Sequence, residues 1–585
     1  MSTEPNNNET NPSDEARLKK DLERQLRAQL ANVTGGLAPD DYLQAWWDWY
    51  LNLSKEPDKQ FALVQSALEK ALDTWQFAAR AATGGPVTSK HQAPGFADPA
   101  WNVWPFNVYA KSYSNWASWM QQALGAGSAG SERGAARLRF ATQQMLEAAS
   151  PANFLHTNPE ILNKTVAESG QNLVRGLKNW LEDAERALNG RRSAKPSQFE
   201  VGKDVAVTPG KVVFRNRLIE LLQYSPQTEQ VYAEPVLITP AWIMKYYILD
   251  LSPRNSLVSY LVEKGHTVFI ISWMNPTSAD RDLGLDDYVQ LGFKDALDVV
   301  NRIVPDRKVH AVGYCIGGTL VSIAAALLSA TGDTGLASIS LLAALVDFSE
   351  PGELSVFISP SQLAMLEAVM NKDGVLDSER MGAAFMMLRS RDLLWTPAVD
   401  TYLRGERAKP NDLMAWNQDG TRMPWRMHSE YLDRLYLKNE LAQGKFSVGV
   451  QPVSLKSLRV PMFVVGTETD HVAPWRAVYK ARELTSSTDY TFLLTSGGHN
   501  AGIVSGPAHP KRRYRALRWT NDTDSLTPEA WLKAAPAQPD SWWPVWQRWL
   551  AERSDPQPQP ARPITAMQAA SGLVLEDAPG RYVRE

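Results

Sequence analysis

The sequence predicts an α/β fold, in which a mostly parallel β-sheet carries helices on both faces and a mostly helical domain precedes it. Up to about Gly190 the apolar residues recur at helical spacing. Short β-like runs then alternate with helical runs, which is the pattern of a parallel sheet. This alternation stops between about 349 and 446 and then resumes. An insertion between two strands, forming a cap, explains the interruption.

The first 195 residues divide into a tail and a helical domain. Residues 1–17 are polar and acidic, which predicts disorder. The helical domain, 18–195, begins with leucines at every fourth position among charged residues, the pattern of an amphipathic helix. We expect this stripe to pack on its own domain or on a second copy of the chain rather than on a membrane. Its leucines are Leu18, Leu22, Leu26 and Leu30.

Tryptophan is concentrated in the same domain. Eight of the 21 tryptophans lie before Met120, most of them in "WWDWY", "WNVWPF" and "WASW". Tryptophan usually lies in a core or a protein interface, and we expect this of most of them. Because aromatic rings tolerate a half-wet boundary, a minority could form an apolar face for a partner or a hydrophobic phase.

Residues 196–552 contain the alternating pattern and are predicted to form the α/β domain. Its β-like runs are "PVLITP", "TVFIIS", "KVHAVGY" and "SISLLAALVDF" before the insertion, and "PMFVVGT" and "YTFLLT" after it. The uncharged segment 309–332 has the hydropathy of a membrane span, but glycines interrupt it early. We interpret it as a buried strand, a tight turn and a buried helix. Residues 553–585 are predicted to be a Pro-rich linker and a tail.

The composition argues against several classes of protein. Sixty-one Lys and Arg balance 64 Asp and Glu, for a formal net charge of -3, so no general positive field favours nucleic acid. The single cysteine cannot form an internal disulfide, and the N-terminus lacks the basic start and apolar run of a secretory signal. We therefore expect a cytoplasmic protein without a transmembrane segment. The histidines form no metal-binding pattern, and no metal is expected.

The single cysteine, Cys315, lies in a motif that carries chemistry. Gly313–Gly317 fits the pattern Gly-x-nucleophile-x-Gly, in which a strand turns sharply into a helix and exposes the central residue. The start of the helix would favour a thiolate. The backbone N–H of Ile316 would stabilise an oxyanion. A second N–H would come from the loop around Trp242 and Ile243, and we predict that Ile243 donates it. A buried structural cysteine is the alternative interpretation.

Two later residues complete a triad in the order of the α/β-hydrolase fold, which is nucleophile, acid and histidine. Asp470 follows "MFVVGTET" and His499 follows "YTFLLTSGG", so both fall at the predicted carboxyl ends of strands. Glu468 stays open as an alternative acid, because loop positions shift by about two residues in sequence-based prediction. His471 is interpreted as a structural residue or a support for the triad.

Several motifs resemble those of class I polyhydroxyalkanoate synthases, the polymerases that make poly(3-hydroxybutyrate) and related polyesters. The resemblance covers the chain from about Asn153 to the C-terminus and is weaker before it. One departure is Asn500, where the family commonly has an apolar residue after the catalytic histidine. The motifs are "GYCIGGT", "TPAWIMKYYILDLSPRNSLVSYLVEKGHTVFIISWMNP", "DLGLDDYV", "ALVDFSEPGEL", "NDLMAWNQDGTRMP", "YLKNEL", "GTETDHVAPW", "SGGHNAGIV" and "APGRYV".

The resemblance implies a role for each residue of the triad. Cys315 would attack the thioester of an (R)-3-hydroxyacyl-CoA, most simply 3-hydroxybutyryl-CoA, and hold the acyl group as a new thioester. His499 would take the proton from Cys315. Asp470 would orient His499 or help to deprotonate the 3-hydroxyl group that attacks the growing chain. The products would be polyester and free CoA, and no cofactor would be needed.

The resemblance also implies two partners, which are a second copy of the chain in a homodimer and the surface of a cytoplasmic polyester granule. The aromatic helical domain would contact the granule. The basic run Lys511–Arg515 could meet the phosphates of CoA or be an ordinary solvated run. Two other functions stay open, a thioesterase or polyester hydrolase of the same fold and a noncatalytic granule-coat protein. The synthase motifs weigh against the first, and the complete triad weighs against the second.

Overall fold

The computed structural model describes residues 23, 26–29, 37–84, 95–127, 131–188, 199–333, 335–507, 509–519, 526–564 and 576–585. The predicted tail, 1–17, lies outside these residues, as do Leu18, Leu22 and Leu30 of the predicted leucine stripe. Leu26, which is described, is 57% exposed. Within the predicted C-terminal linker and tail, 565–575 also lies outside the described residues.

Six α-helices span most of the described residues from 39 to 188, as the sequence predicts for this region. They are α1 (Pro39–Ser54), α2 (Pro57–Ala82), α3 (Phe106–Ala126), α4 (Glu132–Ala148), α5 (Pro159–Ala167) and α6 (Gln171–Leu188). Proline occupies the first turn of α1, α2 and α5, where its missing N–H group costs no hydrogen bond. The side-chain oxygens of Ser131 and Asn158 accept hydrogen bonds from the backbone N–H groups that begin α4 and α5.

An eleven-stranded sheet forms the centre of the rest of the chain. Its strands are β1 (Gly210–Arg215), β2 (Ile219–Tyr224), β3 (Val236–Thr239), β4 (Val268–Trp273), β5 (Val309–Tyr314), β6 (Leu336–Leu342), β7 (Met462–Thr467), β8 (Tyr490–Thr495), β9 (Arg513–Trp519), β10 (Ala537–Pro539) and β11 (Glu576–Asp577). They lie in the order β10-β9-β8-β7-β6-β5-β3-β4-β2-β1-β11. The neighbours β8, β7, β6, β5, β3 and β4 pair in parallel, and the outer pairings are antiparallel.

Helices cover both faces of this sheet. The α-helices of four or more residues in this described part of the chain are α7 (Leu257–Glu263), α8 (Asp295–Ile303), α9 (Ile316–Ala330), α10 (Pro360–Asp373), α11 (Ser378–Leu388), α12 (Asp412–Asn417), α13 (Trp425–Glu430), α14 (Trp475–Tyr479), α15 (Ala481–Leu484), α16 (Pro528–Ala534) and α17 (Trp543–Ala551). Along β3, Leu237 packs in the apolar core that contains α8 and α9, while Val236 and Ile238 pack in the core that contains α7 and α17. Because side chains alternate between the faces of a strand, the two cores lie on opposite faces, and the predicted α/β fold is confirmed.

The uncharged segment 309–332 forms β5 and α9, as its strand, turn and helix pattern predicts. Both elements are internal, since β5 is buried along its whole length and α9 is buried from Ile316 to Leu328. The apolar side chains therefore serve the core of the α/β domain. Among the described residues, no helix has both the length and the hydropathy that crossing a membrane requires.

The connection from β6 to β7 contains α10 to α13 and lies over the sheet. It includes 349–446, the range predicted to be the cap. Short π-helical stretches at Arg391–Trp395, Val399–Leu403 and Tyr431–Leu437 join its helices. Helix α6 packs against the second of these stretches so closely that a Cβ atom on Gly176 would lie 1.9 Å from the carbonyl oxygen of Tyr402.

The last ten residues of the chain return to the sheet, which the sequence did not indicate. Strand β11 pairs with β1. Beyond it, the backbone N–H groups of Arg581 and Tyr582 each donate a hydrogen bond to Oε2 of Glu220, over 3.0 Å in both cases. Glu220 is 0% exposed, and Lys245 Nζ donates to the carbonyl oxygen of Tyr582 over 3.0 Å. The end of the chain is thus part of the α/β domain.

Candidate active site

Cys315 occupies the sharp turn between β5 and α9. Its φ of 55° and ψ of -129° lie in a region that costs energy for a residue with a side chain. The flanking residues must be glycines, because a Cβ atom on Gly313 would lie 2.3 Å from Cα of Gly318, and one on Gly317 would lie 2.2 Å from the carbonyl oxygen of Thr239. The turn therefore has the geometry of a nucleophile elbow, with the half-buried sulfur held at the start of a helix.

Asp470 and His499 lie at the carboxyl ends of the neighbouring strands β7 and β8 and contact each other. The Nδ1 atom of His499 lies 2.8 Å from Oδ2 of Asp470, and their side chains are 10% and 0% exposed. The other carboxylate oxygen of Asp470 accepts hydrogen bonds from the backbone N–H groups of Val472 (2.9 Å) and Ala473 (2.8 Å). Thr467 Oγ1 donates to Oδ2 over 3.0 Å. These bonds hold the carboxylate in the orientation that its contact with the imidazole requires.

The electrostatics of the site favour a proton on the imidazole. Burial opposes the charged form of His499, but the charges of Asp470 and Cys315, with hydrogen bonds to both, raise the pKa of His499 well above 6.5. Burial likewise opposes ionisation of Asp470, but His499 and the two backbone N–H groups lower the pKa of this carboxyl group. The three residues predicted from the sequence are therefore brought together, with His499 between the sulfur and the carboxylate.

The two alternative residues lie elsewhere in the same loop. Glu468 forms an ion pair with Arg513, whose Nη2 atom lies 2.6 Å from Oε2 of Glu468. The carbonyl oxygen of His471 accepts a hydrogen bond from the backbone N–H of Glu353 over 3.0 Å, and burial lowers the pKa of the His471 imidazole. The geometry thus favours Asp470 over Glu468 as the partner of His499.

The two predicted oxyanion donors line the same cavity as Cys315. Ile316 is the first residue of α9 and is 4% exposed. Ile243 lies in the loop after β3, and its carbonyl oxygen accepts a hydrogen bond from the backbone N–H of Thr421 over 3.2 Å. Thr421 also donates through its hydroxyl group to the carbonyl oxygen of Trp242, so the cap fastens this loop. The use of both N–H groups in an oxyanion hole stays a prediction.

The cavity beside Cys315 has a volume of about 360 Å³. Its walls are mostly apolar and come from the elbow, from α10 and α11, and from the π-helical stretch that includes Tyr431 and Tyr436. A larger groove of about 930 Å³ lies between α4 and the α/β domain and reaches Asp470 and His471. The smaller cavity suits an apolar group next to the sulfur.

One hydrogen bond at the site involves the residue that departs from the family pattern. The hydroxyl group of Tyr314 donates to Oδ1 of Asn500 over 2.6 Å, and the Tyr314 ring lies 5.6 Å from the His499 ring. Tyr314 precedes Cys315, and Asn500 follows His499, so this bond joins the two loops that carry them. The sequence drew attention to Asn500, but not to its partner.

Two arginines of the basic run Lys511–Arg515 contact other parts of the chain. Arg513 pairs with Glu468, as described above, and Arg515 donates hydrogen bonds to the carbonyl oxygens of Leu532 and Ala535. These two arginines therefore already have partners within the chain. Contact between this run and the phosphates of CoA stays a prediction.

Three family models match the chain. One, described as "Poly-beta-hydroxybutyrate polymerase N terminal", matches residues 18–59. A second, described as "Poly-beta-hydroxybutyrate polymerase (PhaC) N-terminus", matches residues 92–261. The third, described as "alpha/beta hydrolase fold", matches residues 234–505 and includes Cys315, Asp470 and His499.

Known proteins resemble most of the chain. A "Poly(3-hydroxyalkanoate) polymerase" of Methylorubrum extorquens is 41% identical over 504 residues, which are 85% of this chain and 81% of the relative. A "Poly(3-hydroxyalkanoate) polymerase subunit PhaC" of Rhizobium meliloti is 36% identical over 97% of this chain and 94% of the relative. A protein of the same description from Cupriavidus necator is 40% identical over 77% of this chain and 75% of the relative. The similarity therefore extends across both the helical and the α/β parts.

Proposed function

We propose, since the chain belongs to the poly(3-hydroxyalkanoate) polymerase family, that it polymerises (R)-3-hydroxyacyl-CoA into polyester with release of CoA. The observation that carries this proposal is the elbow cysteine beside the His499–Asp470 pair at an apolar cavity. This arrangement supplies a nucleophile, a proton carrier and a place for the acyl chain. The preferred substrate is 3-hydroxybutyryl-CoA.

In the first step, the sulfur of Cys315 attacks the carbonyl carbon of the substrate thioester. His499 takes the thiol proton, and the carbonyl oxygen becomes an oxyanion beside the backbone N–H groups of Ile316 and Ile243. The carbon–sulfur bond to CoA then breaks, and CoA leaves as a thiol with the proton from His499. Exchange of one thioester for another is nearly isoenergetic, so the acyl group on Cys315 stays activated.

In the second step, the 3-hydroxyl oxygen of another hydroxyacyl unit attacks the acyl group on Cys315. An ester bond forms, the bond to sulfur breaks, and the hydroxyl proton passes by way of His499 to Cys315. Asp470 keeps His499 oriented and stabilises its protonated form. The first step transfers the acyl group from sulfur to sulfur and the second transfers it from sulfur to oxygen, so neither step needs a redox cofactor.

The exposed apolar side chains of α1 and α2 support a location at the surface of a polyester granule in the cytoplasm. On α1, Trp46 and Trp47 are 49% and 53% exposed. On α2, Phe61, Leu68 and Trp75 are 72%, 61% and 69% exposed and follow each other at seven-residue spacing on one face. An insoluble, apolar product offers a surface for such a face, and a second copy of the chain in a homodimer is the other candidate.

Incubation with (R)-3-hydroxybutyryl-CoA tests the proposal. We expect CoA release together with insoluble polyester, and loss of both in Cys315→Ala. Release of CoA with only free 3-hydroxybutyrate would instead identify a thioesterase. Absence of CoA release from the unaltered chain would point to another substrate or to a noncatalytic granule-coat protein.

A further inference from the structure

One side chain of the helical region reaches the cavity beside Cys315. Leu37, which lies just before α1, lines this cavity. Among the described residues, the others that line it belong to the α/β domain and its cap and lie between Ile243 and Ala473. The wall of the cavity is therefore assembled from parts of the chain that are about 200 residues or more apart.

The segment after Leu37 is fastened to α10, whose residues line the same cavity. Ala38 is 1% exposed and packs on Met365 and Val369 of α10. The backbone N–H of Ala38 donates a buried hydrogen bond of 2.9 Å to Oε1 of Gln362. Gln362, Met365 and Val369 are themselves lining residues of the cavity. Leu37 thus enters the cavity beside this helix.

A second set of contacts ties α1 to the start of α10. Ser359, which caps α10, donates its hydroxyl hydrogen to the carboxylate of Asp41. Arg137 of α4 lies 3.8 Å from the same carboxylate and donates to the carbonyl oxygens of Val356 (3.4 Å) and Ile358 (3.2 Å). These polar contacts are mostly buried, so they hold α1, and with it Leu37, in a fixed position relative to α10.

We infer that Leu37 is a specificity-determining residue, which forms one wall of the acyl pocket and limits the size of the acyl chain that Cys315 accepts. The inference rests on the proposed function for the identity of the acyl chain. The volume that Leu37 occupies is unavailable to the acyl chain, so a smaller side chain should admit longer chains and a larger one should exclude them. One methylene group in an apolar pocket changes selectivity by about tenfold or more.

Four forms of the full chain test this inference: the unaltered chain, Leu37→Ala, Leu37→Trp and the control Leu43→Ala. Leu43 lies on α1 but is 67% exposed. Each form is treated with methyl and with octyl methanethiosulfonate, and the labelling rate of Cys315 is measured by mass spectrometry. Cys315 is the only cysteine in the chain, so the label reports on this pocket alone.

We expect the octyl-to-methyl rate ratio to rise at least about threefold in Leu37→Ala and to fall by a similar factor in Leu37→Trp, with no change in Leu43→Ala. Flexible methionine side chains also line the cavity and can fill the space that Leu37→Ala leaves. Leu37→Trp adds volume that they cannot fill, so it is the more decisive variant. The same ordering is expected for kcat/KM with 3-hydroxyhexanoyl-CoA relative to 3-hydroxybutyryl-CoA.

An unchanged ratio in both Leu37 variants would overturn the inference. An equal increase in the labelling rates of both reagents would also overturn it, because the substitution would then have loosened the cap without changing the size of the pocket. If the unaltered chain is labelled but releases no CoA from either substrate, the proposed polymerisation fails, while the labelling ratios still decide whether Leu37 limits the pocket.

Discussion

At the scale of single residues, the contact between Tyr314 and Asn500 links the loop of the nucleophile to the loop of the histidine. The hydroxyl group of Tyr314 is in a side chain that is 2% exposed, and it donates to Asn500. A buried donor that loses its acceptor costs about 1–3 kcal/mol. Asn500, which departs from the family pattern, therefore serves as the hydrogen-bond acceptor of the Tyr314 hydroxyl group.

We predict that Asn500→Ile lowers the stability of the folded chain by about 1–3 kcal/mol, because the Tyr314 hydroxyl group loses its acceptor. The shift of the thermal unfolding midpoint measures this loss. The double variant Tyr314→Phe with Asn500→Ile should recover most of the loss, since neither polar group then remains buried. If the single variant were as stable as the unaltered chain, the contact would not matter.

The pair of Asp470 and His499 makes the stability of the chain depend on pH. The raised pKa of His499 contributes stability that is complete below 6.5 and is lost as the pH rises through that raised pKa. The lowered pKa of Asp470 contributes stability that is complete above 3.8 and is lost as the pH falls through that lowered pKa. The ion pair is therefore most stabilising between these two ordinary values.

We predict that Asp470→Asn destabilises the chain most near pH 5, where both members of the buried pair are charged, by about 3–5 kcal/mol, the cost of breaking a buried ion pair. The difference should shrink as the pH rises through the pKa of His499. Thermal unfolding of both forms across this range measures it. Glu468→Gln is the matched control, because its partner Arg513 is 58% exposed and such surface pairs contribute little. An equal effect of Asp470→Asn at all pH values would contradict the prediction.

At the scale of secondary structure, helix α2 carries an exposed apolar face. Its residues Phe61, Leu68 and Trp75 are exposed, while Leu63 on the same helix is 7% exposed. One side of α2 therefore packs on the chain and another side is available to a partner. This division is what the amphipathic pattern of an interfacial helix requires.

We predict that replacing Phe61, Leu68 and Trp75 together by Gln reduces partition onto polyester granules at least about tenfold, since each apolar side chain contributes about 1.5–3 kcal/mol when it is fully buried. Co-sedimentation with granules measures this. Thermal stability should hardly change, because the three side chains are exposed. Val450→Gln, at a site that is 91% exposed, is the control. Full partition of the triple variant would show that another surface binds the granule.

At the scale of the whole molecule, the last residues of the chain complete the edge of the sheet. Glu220 holds them through the backbone of Arg581 and Tyr582 and forms an ion pair with Arg215. Because Glu220 is 0% exposed, its removal would leave these donors without a buried acceptor. The end of the chain is thus held at the edge of the sheet by Glu220, which lies more than 350 positions earlier in the sequence.

We predict that Glu220→Ala destabilises the chain by about 3–5 kcal/mol, the cost of breaking a buried charged contact. Limited proteolysis should then remove 576–585 before the rest of the chain is cut, and the thermal midpoint should fall. Glu263→Ala, on the exposed side of α7, is the control. Equal proteolysis of the two variants would contradict this role of Glu220.

Much of the fold and the site could be predicted from the sequence because the signals are local. The glycines that the turn at Cys315 requires lie within a few residues of it in the sequence. The runs before Asp470 and His499 are short continuous strands. In a parallel sheet the carboxyl ends of the strands meet at one edge. Chain order and strand position were therefore enough to indicate the three residues.

Contacts between distant parts of the chain were decided only by the tertiary structure. The pairing of Glu468 with Arg513, which leaves Asp470 to His499, depends on how the loop after β7 meets the start of β9. The entry of Leu37 into the cavity depends on how α1 meets α10. Local pattern carries no information on such contacts, because they arise from packing between elements that the sequence separates by many residues.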